Sequence, residues 1–150
     1  ESINRHTAKV HRLFDAAAVH RPEITTIGIA DGGNEIGCGS IPWETLHSSV
    51  PSGLGGQIAC RTSTSHTILA GVSNWGAYAL AAGVLCLRGE CSLMNEWNAT
   101  AEAARLERLV SEGQLIDGVT RLSEVTVDGL PLETYLQALS GIRRAVGLQP

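Results

Sequence analysis

The chain has 150 residues, of which 43% are hydrophobic, and a formal net charge of −4 at pH 7. This length and hydrophobic content suit one compact domain over residues 1–150 and exclude bulk disorder. The acidic balance and the scattered basic residues exclude a nucleic-acid-binding surface. The longest apolar run, residues 77–87, is too short to span a membrane. We therefore expect neither nucleic acid nor a membrane as a partner.

The predicted elements begin with an amphipathic helix over residues 4–20, which Pro22 ends. A run rich in β-branched residues then predicts a strand over residues 24–30. The apolar helix at 73–87 is expected to be buried. The remaining predictions are a loop over 40–56 with a helical turn at 43–47, strands at 57–62 and 66–71, helices at 94–112 and 131–146, and short extended segments at 115–119 and 124–127.

The order of these elements predicts the fold class. Helices separate most of the strands, which favours an α/β fold with a mainly parallel sheet flanked by helices on both faces, in three layers. Ligands of such sheets bind at the carboxyl ends of the strands. Polar turns fall at such positions in residues 31–35, 73–76 and 128–129.

The four cysteines lack the spacing of a zinc site, because there is no CxxC and no paired Cys/His pattern. We interpret Cys38, Cys60, Cys86 and Cys91 as reduced thiols of an intracellular protein.

The acidic glycine segment at residues 31–35 is the most informative part of the chain. Asp31 ends a strand, Gly32 and Gly33 form a tight turn, and Asn34 and Glu35 follow at once. The turn can offer backbone N–H groups to an anion, and the two carboxylates can hold a metal or move a proton. An Asp-Gly turn with Glu35 capping the next helix is the structural alternative, and composition alone leaves both open.

Two further turns have the same ambiguity. Ser73 and Asn74 begin a helix, where they could bind a substrate carboxylate or simply cap the helix. Asp128 precedes Gly129 in a turn that leads into the last helix, and it is a weaker candidate for a ligand site. The segment at Asp117-Gly118 is weaker still.

Together these segments resemble the D-glutamate cyclase family. Residues 28–39 read Gly-Ile-Ala-Asp-Gly-Gly-Asn-Glu-Ile-Gly-Cys-Gly and are similar to the family pattern Gly-x-Gly-Asp-Gly-Gly-Asn-Glu-x-Gly-Met-Gly. Residues 70–80 and 127–131 resemble a second and a third family block in the expected order. The departures are Ala30 for a glycine, Cys38 for a methionine, and Ser65 where the family carries an aspartate.

The resemblance implies an activity and a larger setting. The family reaction cyclises D-glutamate to 5-oxo-D-proline with loss of water, which makes the expected enzyme a hydro-lyase. The family domain is longer on its N-terminal side, so this chain is expected to be the C-terminal half of such a domain. An N-terminal partner segment or a second copy would then complete the site. The implied location is intracellular: the mitochondrial matrix in a eukaryote and the cytoplasm in a prokaryote.

The resemblance also implies roles for the residues of the three blocks. Asp31 and Glu35 would bind a metal or transfer protons as catalytic residues. A divalent cation, Mg²⁺ or Mn²⁺, could serve as cofactor, and no nucleotide cofactor is expected. The partner would be a small acidic amino acid, and the residues expected to bind it are Gly32, Gly33, Asn34, Ser73, Asn74 and Asp128.

Two other functions fit the same residues. One is a divalent-metal-dependent hydrolase that acts on phosphate esters, because an acidic glycine loop would hold Mg²⁺ or Mn²⁺ equally well. The other is a non-catalytic subunit or fragment that needs a partner chain, which the serine at position 65 favours.

Overall fold

The computed structural model describes residues 8–49 and 54–149. The chain divides into two compact units, Glu1–Ser73 and Asn74–Pro150, called here the first and the second unit. Among the described residues, no helix is both long enough and apolar enough to cross a membrane.

The first unit is built around a pair of parallel strands. Strand β1 (Ile27–Ala30) pairs with β2 (His66–Leu69), with Ile27 opposite His66 and Ala30 opposite Leu69. The other elements of this unit are α1 (His11–His20), a 3₁₀ turn (Cys38–Ser40), α2 (Trp43–Ser49) and α3 (Gly55–Ile58). Its core packs Ala30, Cys38 and Leu46 against Ile41, Ala59 and Cys60.

The predicted strand at 57–62 is wrong. Gly55–Ile58 forms a helical turn that closes with a hydrogen bond from the Ala59 N–H to the Gly55 carbonyl, 3.0 Å long. Gly55 lies so close to α2 that a Cβ atom there would meet the His47 carbonyl oxygen at 2.6 Å. This close packing favours the turn over an extended segment. Residues 60–62 bind the glycine loop instead of a neighbouring strand.

The second unit combines helices with a small hairpin. It contains most of α4 (Ser73–Leu87), a 3₁₀ segment (Cys91–Glu96), α5 (Ala99–Ser111), β3 (Thr126–Val127), β4 (Leu130–Pro131) and α6 (Leu132–Ala145). β3 and β4 pair antiparallel. Helix α5 begins later than predicted because the Asn98 side chain accepts a hydrogen bond from the Ala101 N–H, which caps the helix at that point.

The predictions of helices and strands are confirmed to different degrees. Helices are confirmed near 73–87 and 131–146, and strands within 24–30 and 66–71. The helix predicted at 4–20 is confirmed for His11–His20, and its residues 4–7 lie outside the described residues. The prediction that 73–87 is buried is wrong for most of the helix, since Gly76 and Ala82 are its buried residues and Leu87 is 91% exposed.

The predicted α/β class is confirmed only in outline: the described residues combine helices with one pair of parallel strands. Among the described residues the strands form two sheets of two strands each, one parallel and one antiparallel. A mainly parallel sheet with helices on both faces is not formed by these residues. It stays a prediction that concerns a larger assembly than the described part of the chain.

The cysteines divide into two pairs with different chemistry. Cys86 and Cys91 are joined by a disulfide, so the prediction of reduced thiols is wrong for these two. The five-residue separation places one at the end of α4 and the other at the start of the next turn, where the chain reverses. Cys38 and Cys60 are free thiols.

Candidate functional site

The glycine loop, residues 31–39, follows β1 directly and contains most of the first family block. Gly33 has a φ of 94°, a conformation that side chains with a Cβ rarely adopt. The loop is fixed by the segment that leads to β2. The Cys60 N–H donates to the Gly33 carbonyl at 2.9 Å, and the N–H groups of Gly37 and Gly39 both donate to the Thr62 carbonyl. The backbone of the loop is therefore held in place by the body of the first unit.

Asp31 lies at the carboxyl end of β1 and binds the start of helix α4. The Ser73 N–H donates to the Asp31 Oδ2 at 2.5 Å. This contact brings Ser73 to the carboxyl end of the parallel strands, beside Asp31. The contact also shows that the first N–H of the helix is bound by the chain's own carboxylate, which caps the helix and suits its dipole.

Glu35 turns back onto the glycines rather than capping the next helix. Its Oε1 accepts the Gly32 N–H at 3.1 Å, and its Oε2 accepts the Gly33 N–H at 2.9 Å. The Cys38 thiol donates to the same Oε2 at 3.7 Å. Burial and the nearby negative charge of Glu35 raise the pKa of the Cys38 thiol. The Glu35 carboxylate thus occupies the anion-binding turn that the sequence assigned to a ligand.

A cleft of about 310 Å³ opens beside this loop. Asp31, Gly32 and Gly33 line it, and Asp31 is the charged side chain among the described lining residues. Thr45 and Ser49 of α2 add hydroxyl groups that sequence analysis missed, because nothing in the pattern of α2 points to a ligand. The rest of the wall is mostly apolar and includes Ala30, Ile41, Leu46 and Leu69. The cleft suits a small molecule with a positively charged group and a short apolar body.

Asn34 has a different environment from its neighbours in the block. It lines a separate shallow groove of about 400 Å³ together with Cys60, Arg61 and Thr62. The structure therefore does not bring Asn34 into the cleft that Asp31, Gly32 and Gly33 line.

Ser65, where the resemblance led us to expect an aspartate, lies at the other end of the strands. Its N–H donates to the Thr26 Oγ1 at 3.0 Å, and its Oγ accepts the Thr26 N–H at 3.2 Å. These reciprocal bonds join the chain just before β1 and β2 begin. Asp31 follows β1, so about 13 Å of strand separates Ser65 from the glycine loop. Ser65 aligns the two strands at their amino ends.

Asn74 and Asp128 belong to the second unit. The Asn74 amide donates to the Tyr135 hydroxyl at 3.4 Å. Asp128 has a φ of 51° in the turn between β3 and β4, next to Gly129 with a φ of 76°. That turn is organised by Asp117, whose carboxylate accepts the Gly129 N–H at 2.9 Å and the Thr126 hydroxyl at 2.7 Å. Asp117 was a weak candidate in the sequence analysis, since an Asp-Gly pair is usually only a turn.

In residues 8–49 and 54–149, no three His, Cys, Asp or Glu side chains gather into a group that could hold a metal ion. Asp31 and Glu35 are thus two candidate oxygen ligands without a third protein ligand of these types in the described part of the chain.

Comparison with known proteins confirms the resemblance seen in the sequence. A family profile described as "D-glutamate cyclase-like, C-terminal" matches residues 1–143. The chain is also similar to the human protein named "D-glutamate cyclase, mitochondrial", with 30% identity over 135 residues. That match covers 77% of this chain and 21% of the human protein, so the chain spans about a fifth of its relative. The chain belongs to the D-glutamate cyclase-like family and corresponds to its C-terminal region.

Proposed function

We propose that the chain acts as a D-glutamate cyclase-like hydro-lyase, with the Asp31 cleft as the place where the amino acid binds. The observation that carries this proposal is the position of Asp31, which lies at a strand end in the lining of a mostly apolar cleft. Its carboxylate is held by the Ser73 N–H, so it is oriented before a ligand arrives. A cleft of about 310 Å³ is in the range of small-ligand pockets.

The reaction defines what the site must do. The amine nitrogen of D-glutamate forms a bond to the γ-carboxyl carbon, and one carbon–oxygen bond of that carboxyl group breaks. The ammonium group loses two protons, and the departing oxygen takes up two protons and leaves as water. Asp31 is the group that would accept a proton from the ammonium, because a positioned carboxylate can serve as a general base and return the proton later as an acid.

Backbone N–H groups would serve the other half of the reaction. The γ-carboxylate is a poor electrophile, and N–H donors aimed at its oxygens stabilise the charge that develops during attack. The amides of Gly32 and Gly33 would be such donors once they are released from Glu35, and both glycines line the cleft. Ser73 would orient Asp31, whereas Asn34, Asn74 and Asp128 remain proposed substrate contacts without support from this cleft.

Metal binding by Asp31 and Glu35 is a separate part of the proposal. Mg²⁺ usually keeps several waters and needs few protein carboxylates, so two such groups are compatible with it. The ion would supply charge stabilisation for the γ-carboxylate. Adding Mg²⁺ or Mn²⁺ should then raise the melting temperature of the chain, and the Asp31→Asn variant should lose this response. An equal response in the variant would remove Asp31 from the set of ligands.

A larger sheet is also proposed. Parallel strands are normally covered on both faces, yet Ile27 of β1 is 40% and Leu69 of β2 63% exposed. This exposure supports a mainly parallel sheet, with helices on both faces, in which β1 and β2 are joined by strands from an N-terminal partner segment or a second copy. The name of the human relative supports a mitochondrial location in a eukaryote, and the matrix remains part of the proposal.

A non-catalytic role is the second candidate function. Both predicted anion-binding groups, the Ser73 N–H and the Gly32–Gly33 amides, are bound by carboxylates of the chain itself. A subunit that only needs a stable loop would have this arrangement. The phosphate-ester hydrolase has no such observation in its favour.

Turnover of D-glutamate separates these functions. The natural full-length protein, incubated with D-glutamate, should produce 5-oxo-D-proline on chiral chromatography, and L-glutamate should remain unchanged. The Asp31→Asn variant should lose at least 100-fold of this rate, roughly the contribution of a positioned general base, while Glu44→Gln on the exposed start of α2 should retain it. Unchanged D-glutamate would contradict the cyclase and leave the non-catalytic role. Release of nitrophenol from p-nitrophenyl phosphate with Mn²⁺ would instead favour the hydrolase.

A further inference from the structure

The Glu35 side chain shows what kind of group the glycine turn binds. Each of its carboxylate oxygens accepts one N–H, from Gly32 at 3.1 Å and from Gly33 at 2.9 Å. Two adjacent backbone amides therefore bind both oxygens of one carboxylate. The side chain of glutamate ends in the same two-methylene carboxylate that D-glutamate carries, so Glu35 holds a chemical copy of the substrate's reacting group at this turn.

The two glycines that bind this carboxylate also belong to the lining of a small-ligand cleft, although Glu35 itself does not line it. Gly32 and Gly33 line the cleft that also contains Asp31. The described lining residues include no Lys, Arg or His, so N–H and other uncharged donors must balance an anion there. The turn is also tight, because a Cβ atom on Gly32 would lie 3.2 Å from the Glu35 Oε1. A side chain at position 32 would therefore crowd the carboxylate that the two amides bind.

We propose that the Gly32–Gly33 amides form a carboxylate subsite, that Glu35 fills it in this structure, and that a ligand carboxylate enters by displacing Glu35. The exchange replaces one carboxylate with another, so the number of charge-assisted hydrogen bonds at the two amides is unchanged. The proposal rests on the proposed function in one respect, which is that the incoming group is the γ-carboxylate of D-glutamate.

The exchange has a consequence for Glu35 itself. Once its oxygens leave the two amides, its carboxylate is no longer bound by them and is available to accept a proton. Binding of the γ-carboxylate would thus release a second base at the moment when the amine must lose protons. If Glu35 were instead a fixed cap of the turn, it would never leave, and no external carboxylate would reach Gly32 and Gly33.

Removal of the internal carboxylate tests the exchange directly. Propionate is the probe, since it reproduces the side-chain carboxylate and needs no turnover. In the Glu35→Ala variant of the full chain, propionate should shift the backbone amide signals of Gly32 and Gly33 in ¹⁵N spectra. Its dissociation constant should be about tenfold lower than in the unchanged chain, because an internal competitor that fills the subsite most of the time has been removed. Neutral propionamide should give no such shifts.

Two further variants keep the test decisive. Glu44→Ala removes an exposed carboxylate from the first turn of α2 and should leave propionate binding as weak as in the unchanged chain. If the alanine variant does not fold, Glu35→Gln replaces it, because its uncharged amide should be displaced more easily than a carboxylate. Equal propionate affinity with and without the Glu35 carboxylate would overturn the proposal, as would shifts that avoid Gly32 and Gly33.

The result is independent of the proposed reaction. Propionate binding at the glycines without D-glutamate turnover would keep the subsite and reject the cyclase. Cyclisation by the natural full-length protein without a gain of propionate affinity in Glu35→Ala would keep the cyclase and reject the exchange.

Discussion

The two units of the chain use their carboxylates in different ways. In the first unit, Asp31 and Glu35 bind backbone N–H groups at a loop beside a cleft, and the Asp31 side chain stays exposed. In the second unit, Glu102 and Asp117 are 3% and 7% exposed and are surrounded by donors of their own unit. The difference suggests that the second pair maintains the fold, whereas the first pair can exchange partners with a ligand.

The hydrogen-bond network around Glu102 shows how a carboxylate of the second unit maintains the fold. Its Oε1 accepts the Tyr78 hydroxyl at 2.6 Å and the Tyr135 hydroxyl at 3.1 Å, and Arg105 forms an ion pair with the other oxygen. Tyr135 is fully buried. Burial, followed by the charge of Glu102, raises the pKa of Tyr135 to about 12, and burial also raises the pKa of Tyr78. Helices α4, α5 and α6 are joined by this one carboxylate.

The largest expected effect is on stability, at Tyr135. The Tyr135→Ala variant removes a fully buried ring and should lower the free energy of unfolding by about 3 to 5 kcal/mol. Tyr135→Phe keeps the ring but loses the bond to Glu102, and should cost about 1 to 2 kcal/mol. Urea unfolding measures both. The surface control Leu122→Ala, at a side chain that is 51% exposed, should change little. If Tyr135→Ala behaves like this control, the network does not hold the second unit together.

Alkaline pH should weaken the same network. A tyrosine with a raised pKa in the fold contributes stability that is fully present below its unfolded pKa, near 10, and is lost as the pH rises through its folded pKa. Stability should therefore fall between about pH 10 and the folded value of about 12 for Tyr135. Unfolding midpoints at several pH values test this. Tyr135→Phe should show a shallower decline than the unchanged chain, and an identical decline would exclude Tyr135 as the cause.

Asp117 should produce an effect at acid pH. The Thr126 hydroxyl and the Gly129 N–H are the main donors that hold the pKa of Asp117 well below its usual range. A carboxylate with a depressed folded pKa contributes stability that is present above its unfolded pKa, near 4, and is lost as the pH falls toward the folded value. Asp117→Asn should therefore be less stable at neutral pH and lose less on acidification. Asp15→Asn on the exposed side of α1 should keep the original acid profile.

The smallest effect on stability is expected at Asp31. Asp31→Asn loses a charged cap at the start of α4 and should cost about 1 kcal/mol. Asp31→Asn should weaken the binding of D-glutamate. Tyr135→Phe, in contrast, should destabilise the chain and leave its affinity for D-glutamate nearly unchanged. Urea unfolding and calorimetric titration of both variants give this contrast. Similar losses of affinity in both variants would mean that the two kinds of carboxylate cannot be separated.

The sequence predicted secondary-structure elements and motifs better than it predicted the hydrogen-bond partners of individual side chains. β1, β2 and the start of α4 at Ser73 followed from local patterns, and the glycine block identified the family. The hydrogen bonds between Glu35 and the amides of Gly32 and Gly33 did not follow from a local pattern, because a carboxylate at that spacing can equally reach a helix or a metal. The pairing of Ser65 with Thr26 depends on strands that lie far apart in sequence, so no local pattern contains it.

The same limit explains the errors in the second unit. The role of Asp117 arises only when residues up to twelve positions later fold back onto it, as Gly129 does. Cys86 and Cys91 come together because the chain reverses between them, and their spacing alone matches no motif. The apolar pattern of α4 predicted burial correctly for Gly76 and Ala82 but gave no sign that Leu87 would be exposed.

The central claim is that ligands bind at the glycine loop of the first unit and not at the polar network of the second. Titration of the ¹⁵N-labelled chain with D-glutamate tests it most directly, with backbone amide signals as the readout. Binding at the glycine loop should shift the signals of Gly32, Gly33 and Ser73, whose N–H groups bind Glu35 and Asp31. Ala101 and Gly129, whose N–H groups bind Asn98 and Asp117, should not move. Shifts at Ala101 or Gly129 with none at Gly32, Gly33 and Ser73 would contradict it.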